Sequence, residues 1–206
     1  AEGHLTTARD IAVMSKELIK HPLITQYSTL WMDSLRGGET QLVNTNKLVR
    51  FYEGATGLKT GTTDEAGYCV SATAQKNGME LIAVVLNGAT SDKRFSDAKA
   101  LLNYGFANYG LAQVDPAETL LSPLPVSHGT SRQVELIPAP AGPFLVEKGG
   151  ENRLTATLSL PQRVEAPVTQ GQVVGKITYS LENQPVGETN IVASQAVPCM
   201  TLWAAL

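Results

Sequence analysis

The stretch 54–69 constrains this chain more than any other, because it reads as a strand, a turn and a second strand. Lys59, Thr60 and Gly61 lie in the first strand, where successive side chains point to opposite faces of a sheet. The lysine supplies positive charge, the threonine hydroxyl can hydrogen-bond a carboxylate, and the glycine lets another backbone approach closely. This tripeptide predicts a clamp for the acidic end of a peptide.

The residues that follow predict the sheet that carries this strand. The segments 70–74 and 80–86 are rich in β-forming residues, and Lys76-Asn77-Gly78 between them is a hairpin-turn sequence. We therefore expect the Lys-Thr-Gly strand to border an antiparallel sheet. An edge strand has unpaired amides and carbonyls, which can bind an extended peptide as a further strand.

Helical spacing predicts one helix before this sheet and one after it. Either residue of Thr6-Thr7 can cap a helix that runs through Ile19, and either residue of Ser91-Asp92 can cap the second helix. The apolar positions are Ile11, Met14, Leu18 and Ile19 in the first helix, and Phe95, Ala98, Leu101, Leu102 and Phe106 in the second. Arg94 falls in the first turn of the second helix, where the helix dipole mildly disfavours a cation. A carboxylate partner or solvent exposure would explain it.

Composition excludes several classes of site. The net charge is -3 and the pI is about 5.6, with no basic stripe, which argues against a nucleic-acid surface. His4, His21 and His128 lie far from other possible ligands, so we predict no metal, and no other cofactor is indicated. Cys69 and Cys199 have no spacing typical of a disulfide or metal site, and we expect two separate buried thiols.

The second half of the chain differs from the first. From Ala112 onward prolines become frequent and short alternating segments replace helical ones. Strands are expected at 134–137, 144–146, 154–160, 173–179 and 188–192. We therefore predict two domains, 1–111 and 112–206, of which the second is a small β-sandwich or barrel-like domain without a candidate catalytic pair.

Several of these segments together resemble a known family, the serine D-alanyl-D-alanine carboxypeptidases, which are low-molecular-mass penicillin-binding proteins. The matching parts occur in the family's order and are 6–10, 44–48, 57–68, Arg94 and the β-rich second half. Lys-Thr-Gly is one of three family signatures. The resemblance implies an α+β fold, with part of a transpeptidase/β-lactamase-like antiparallel sheet and its helices, followed by a small all-β, sandwich-like domain.

The resemblance also implies an activity and a location. The complete enzyme would remove the terminal D-alanine from peptidoglycan stem peptides through a serine acyl-enzyme, and it would bind β-lactam antibiotics. Lys59 would supply positive potential and proton transfer, Thr60 and Arg94 would hold the substrate carboxylate beside Gly61, and the Thr62 amide would stabilise the oxyanion. The complete enzyme would act outside the cytoplasm, at the outer face of the cytoplasmic membrane. A C-terminal amphipathic helix not present here would attach it to that membrane. The apolar residues 201–206 fit the approach to such a helix or a frayed end.

Two of the three signatures are missing from this chain. No Ser-x-Asn occurs, and a Ser-x-x-Lys at Ser96 to Lys99 follows Lys-Thr-Gly instead of preceding it, which favours a solvated helix face. We expect the nucleophile from the N-terminal half of the same protein, on the same or a cleaved chain, and this chain alone to be inactive. The segment 1–5 resembles the middle of a protein, so the lack of a signal peptide says nothing about location.

Two other functions compete with this interpretation. A non-catalytic peptidoglycan-binding or scaffold module could use the Lys-Thr-Gly edge only to hold D-Ala-D-Ala ends. A class A type β-lactamase is disfavoured, because those enzymes lack a second β domain.

Overall fold

A computed structural model of the protein describes residues 3–114 and 121–201, so the expectation for the apolar end 201–206 lies almost wholly outside the described residues. The chain divides into two compact units, Ala1–Asn108 and Tyr109–Leu206. The strand Tyr109–Ala112 pairs with Phe144–Glu147 in the second unit, which places the division three residues before the predicted boundary. Helices and antiparallel sheets are combined, as predicted for an α+β protein. The roles assigned to the two domains stay predictions.

The first unit contains four α-helices and five strands among its described residues. In chain order they are α1 (Ala8–Leu18), α2 (Pro22–Ser28), β1 (Met32–Leu35), β2 (Thr40–Val43), α3 (Leu48–Phe51), β3 (Ala55–Thr63), β4 (Gly67–Lys76), β5 (Met79–Gly88) and α4 (Ser91–Asn108). None of the described helices combines the length and the apolar character needed to cross a bilayer.

The three-stranded sheet β3-β4-β5 is antiparallel, and β3 lies at its edge among the described residues. This confirms the predicted strand, turn and strand at 54–69. The hairpin between β4 and β5 turns at Asn77 and Gly78, whose φ angles of 51° and 78° are both positive. Two-residue hairpins of the type I′ kind require this conformation, which Asn and Gly adopt readily.

The core of the first unit lies between α4 and one face of the sheet. The buried apolar side chains are Leu48, Tyr52, Val70, Ala72, Ala74, Ala83, Phe95, Ala98 and Leu102. Leu101, predicted on the apolar stripe of α4, is 50% exposed.

The predicted cap of α4 is wrong. Thr90 Oγ1 accepts a hydrogen bond of 3.1 Å from the Lys93 backbone amide. The helix is therefore capped by Thr90, and not by Ser91 or Asp92.

Helix α1 begins where the sequence predicts. Thr7 Oγ1 accepts from Asp10 N, and an Asp10 oxygen accepts from Thr7 N, which forms a capping box. Ser15 is the buried residue of the helix, and its hydroxyl lies 2.7 Å from the Ser71 hydroxyl on β4. The predicted apolar stripe of α1 remains partly open to solvent, with Met14 57% exposed.

The described part of the second unit contains nine strands. They are β6 (Tyr109–Ala112), β7 (Leu124–Ser127), β8 (Gln133–Val134), β9 (Leu136–Pro138), β10 (Phe144–Glu147), β11 (Leu154–Ser159), β12 (Val164–Glu165), β13 (Val173–Leu181) and β14 (Gln184–Ala193). They form sheets in the orders β11-β13-β14-β9, β12-β7-β8 and β10-β6.

These strands enclose a second, separate core. Its buried apolar residues are Leu124, Val134, Leu136, Val168, Val174, Ile177, Tyr179, Ile191, Ala193 and Val197. The all-β prediction is confirmed, although the predicted strand 134–137 is divided between β8 and β9.

The expectation of two buried thiols is wrong for Cys199, which is exposed next to the end of the described chain, and Cys69 is half-buried. Both are free cysteines.

Candidate functional site

A mostly apolar cleft lies beside the Lys-Thr-Gly strand. Its volume is about 420 Å³, and it is bordered by α1 on one side and by the strands β3, β4 and β5 on the other. Lys59, Thr60 and Gly61 line it together with Cys69 and Ser71 of β4. The structure therefore brings the three predicted residues to one concave surface at an open sheet edge.

Lys59 is an exposed cation at this cleft. Its Nζ donates a hydrogen bond of 2.7 Å to the Thr60 carbonyl, which holds the ammonium group along the strand. Among the described residues no carboxylate lies within ion-pair distance of Lys59. Its positive charge is therefore available to an anionic ligand.

Gly61 is also exposed, and a Cβ built on it would meet no atom within 4 Å. The space over this residue is open on the side where a side chain would otherwise stand. Thr62 follows it, exposed, near the end of β3. A peptide lying along the strand would therefore meet bare backbone at Gly61.

Thr60 faces away from solvent and is only 8% exposed. Its Oγ1 lies 2.7 Å from Thr45 Oγ1, which belongs to the loop that precedes α3. A ligand carboxylate that uses the Thr60 hydroxyl must therefore share it with Thr45. Sequence reasoning missed this partner, because the two threonines are far apart along the chain.

The loop before α3 is fixed by hydrogen bonds of its asparagine side chains. Asn44 Oδ1 accepts from Asn46 N at 2.9 Å, and Asn46 Oδ1 accepts from Leu48 N at 3.2 Å. Asn46 Nδ2 also donates to Gly57 O on β3 at 2.7 Å. The loop is therefore bonded directly to the strand that carries Lys59. Two asparagines separated by one residue are typical of a turn, but the sequence gives no sign of this attachment.

Arg94 is buried behind the end of β3, at 6% exposure. Its NH1 group donates to Gly61 O at 3.3 Å, Thr62 Oγ1 at 3.2 Å and Cys69 O at 3.2 Å. Burial excludes the solvent-exposure explanation for its position, and the partners found are carbonyls and a hydroxyl instead of a carboxylate. Arg94 thus places a positive charge beside the Gly61 and Thr62 backbone.

The Ser-x-x-Lys at Ser96 and Lys99 lies on the exposed face of α4, as the sequence predicts. Ser96 Oγ donates to the Lys93 carbonyl of its own helix. Within the ranges 3–114 and 121–201, no group of three His, Cys, Asp or Glu side chains could hold a metal ion.

Comparison with known proteins agrees with this arrangement. A family model described as D-alanyl-D-alanine carboxypeptidase matches residues 1–90, and the model of the penicillin-binding protein 5 C-terminal domain matches residues 113–198. Together the two matches cover most of the chain, which is similar to the C-terminal part of a D-alanyl-D-alanine carboxypeptidase. The first match contains the Lys-Thr-Gly strand and the cleft beside it, and the second lies within the all-β unit.

Members of this carboxypeptidase family match nearly the whole chain. D-alanyl-D-alanine carboxypeptidase DacF of Bacillus subtilis is 31% identical over 198 residues, 94% of this chain and 51% of the relative. DacC of Escherichia coli is 30% identical over 200 residues, 96% of this chain and 50% of the relative. Penicillin-binding protein 5 from Haemophilus influenzae superimposes with a TM-score of 0.76 at 28% identity, over 94% of this chain and 57% of its own. The chain thus spans about half the length of the curated relatives it matches.

Proposed function

We propose that the protein is a D-alanyl-D-alanine carboxypeptidase that trims the terminal D-alanine from peptidoglycan stem peptides. The observation that carries this proposal is the edge strand β3, where exposed Lys59 and Gly61 line a cleft and buried Arg94 lies behind them. A free edge can receive an extended peptide, and positive charge can receive its terminal carboxylate. Relatives named as carboxypeptidases support the same activity.

The reaction would be acyl transfer to a serine. The serine Oγ attacks the carbonyl carbon of the penultimate D-alanine, the peptide bond breaks, and the terminal D-alanine leaves with a proton on its amine. Water then hydrolyses the acyl-serine ester. Lys59 would supply positive potential and proton transfer, Thr60 and Arg94 would hold the terminal carboxylate, and the Thr62 amide would donate to the oxyanion.

The nucleophile in this proposal comes from an N-terminal segment outside residues 1–206. The chain contains no Ser-x-Asn, and its Ser-x-x-Lys lies on a solvated helix face. Val13 and Met14 of α1 are 63% and 57% exposed, and Leu18 is 40% exposed. Apolar side chains grouped in this way are typical of a surface that another segment covers.

The location follows from the substrate. Peptidoglycan lies outside the cytoplasm, so we place the protein in the cell envelope, where β-lactam antibiotics would also reach the site. We further propose peripheral contact with the outer face of the cytoplasmic membrane through a C-terminal amphipathic helix.

Covalent labelling tests the proposal. The full-length gene product that includes this chain should release D-alanine from a D-Ala-D-Ala peptide and take up fluorescent penicillin on a serine outside residues 1–206. The chain 1–206 alone should do neither. Labelling of Ser96, or turnover by residues 1–206 alone, would contradict the assignment of the nucleophile.

A non-catalytic peptide-binding module is the second candidate, because an edge strand with exposed Lys59 and Gly61 can hold a peptide without a nucleophile. It predicts that the full-length product binds a D-Ala-D-Ala peptide without turnover or labelling, and that Lys59→Ala removes this binding. That result would replace the carboxypeptidase proposal.

A further inference from the structure

Strand β11 forms an open edge in the second unit. In its four-stranded sheet it pairs only with β13 among the described residues. Residues 155–159 are all exposed, on both faces of the strand. An edge of this kind presents a row of amides and carbonyls to any strand that approaches it.

Edge strands that face water normally carry protection against pairing, such as charged side chains, prolines or very short length. At the opposite end of the same sheet, β9 is three residues long and ends at Pro138. Strand β11 is six residues long, and no charged residue occurs from Leu154 to Gln162. Its only proline neighbour, Pro161, comes after the strand has ended. The composition of β11 is therefore typical of an edge that is covered.

The sequence of β11 indicates what covers it. Leu154-Thr155-Ala156-Thr157-Leu158 reads identically in both directions. When two copies pair antiparallel about Ala156, a two-fold axis passes through the Ala156 pair. Each Leu154 then faces Leu158 of the other copy, and each Thr155 faces Thr157. Such a self-complementary contact is the isologous interface that two-fold symmetric dimers use.

The two faces of β11 suit this register. Ala156 lies opposite Tyr179 and Leu158 opposite Ile177, and both partners on β13 are buried in the core. The leucines of β11 therefore project on the core side of the sheet, where Leu158 is 42% exposed. Pairing would bring Leu158 against Leu154 of the other copy. The threonines would meet on the outer face, where cross-strand threonine pairs are favourable.

We propose that two copies of the protein associate through antiparallel pairing of their β11 strands, with Ala156 on the two-fold axis. The two four-stranded sheets then join into one continuous sheet. A contact limited to one strand from each copy is small compared with stable interfaces, so the dimer dissociates readily and its population depends on concentration.

Analytical ultracentrifugation of the full-length gene product over a range of concentrations tests this proposal. Ala156→Lys places two like charges opposite each other at the axis and should raise the dimer dissociation constant at least about tenfold. Ala196→Lys is the matched control, because Ala196 is exposed and lies outside every strand. It should dimerise as the wild type does.

A pair of double variants tests the register itself. Thr155→Lys with Thr157→Glu places a lysine opposite a glutamate twice and should preserve the dimer, whereas Thr155→Lys with Thr157→Lys should abolish it. Circular dichroism checks that each variant is folded. A wild type that stays monomeric, a dimer that tolerates Ala156→Lys, or equal loss in both double variants overturns the proposal. Protection of the β11 amides from hydrogen exchange that appears only when a different protein is added would also overturn the proposal.

Discussion

Asn46 holds the loop before α3 against the Lys-Thr-Gly strand, and replacing it with alanine should destabilise the first unit. Asn46 is 1% exposed, and it bonds both Gly57 O, at 2.7 Å, and Leu48 N, at 3.2 Å. Asn46→Ala leaves this carbonyl and this amide unsatisfied in buried positions. Each such group costs about 1 to 3 kcal/mol, so the expected loss for the two is about 2 to 6 kcal/mol.

Urea denaturation of the full-length gene product measures this loss. With an m-value of about 2 kcal/mol per molar, the midpoint of the unfolding transition that includes the first unit should fall by about 1 to 3 M. Hydrogen exchange supplies a local readout, because the Leu48 amide loses its acceptor and should exchange faster. Both measurements report on the same two bonds.

Asn103→Ala is the matched control. Asn103 is exposed and accepts one hydrogen bond of 2.9 Å from the Tyr52 hydroxyl, so only one group loses its partner and the cost should be about half that of Asn46→Ala. Equal destabilisation by the two variants, or an unchanged exchange rate at Leu48, would refute the reasoning that Asn46 fastens the loop to β3.

Two further predictions concern a glycine and a carboxylate. Gly54→Ala should cost about 2 to 4 kcal/mol of folding free energy and lower the Tm, because φ is +83° and the new Cβ would lie 2.5 Å from Gln75 O. Gly37→Ala is the control and should cost less, because Gly37 has a φ of +68° but open space around it. A hydrogen bond from His128 lowers the pKa of the exposed Glu165 carboxyl. This bond therefore stabilises the folded state at pH values above the ordinary carboxyl pKa, and the stabilisation is lost as the pH falls through the lowered pKa. His128→Ala should raise this pKa in a carboxyl NMR titration, and an unchanged pKa would show that the bond does not cause the shift.

Local patterns in the sequence were enough to predict the sheet around Lys59. The hairpin at Asn77-Gly78 needs two positive φ angles, and few residue pairs other than this one provide them. The helix at Thr7 was equally predictable, because a capping residue and a carboxylate three positions later form a local motif. In both cases the deciding interactions join residues that are close in sequence.

The contacts of the site could not be predicted in the same way. Thr60 bonds Thr45, and Arg94 bonds Gly61 and Cys69, and these partners meet only after the chain has folded. The cap at Thr90 was missed for a different reason, because three adjacent residues could each have supplied the cap and only the position of Lys93 N decides among them. The catalytic and binding roles of Lys59, Thr60, Gly61, Thr62 and Arg94 stay predictions.

The central claim is that the positive edge strand grips the terminal carboxylate of the peptide, and substrate discrimination tests it most directly. The ratio of kcat/KM for a D-Ala-D-Ala peptide to that for its C-terminal amide should be about 10 to 100 in the full-length gene product, as expected for one charged hydrogen bond. Lys59→Ala should lower this ratio about tenfold, whereas Lys99→Ala, which removes an exposed lysine of α4, should leave it unchanged. A Lys59→Ala enzyme that keeps the wild-type ratio of kcat/KM for the free-carboxylate peptide over its amide would contradict the account.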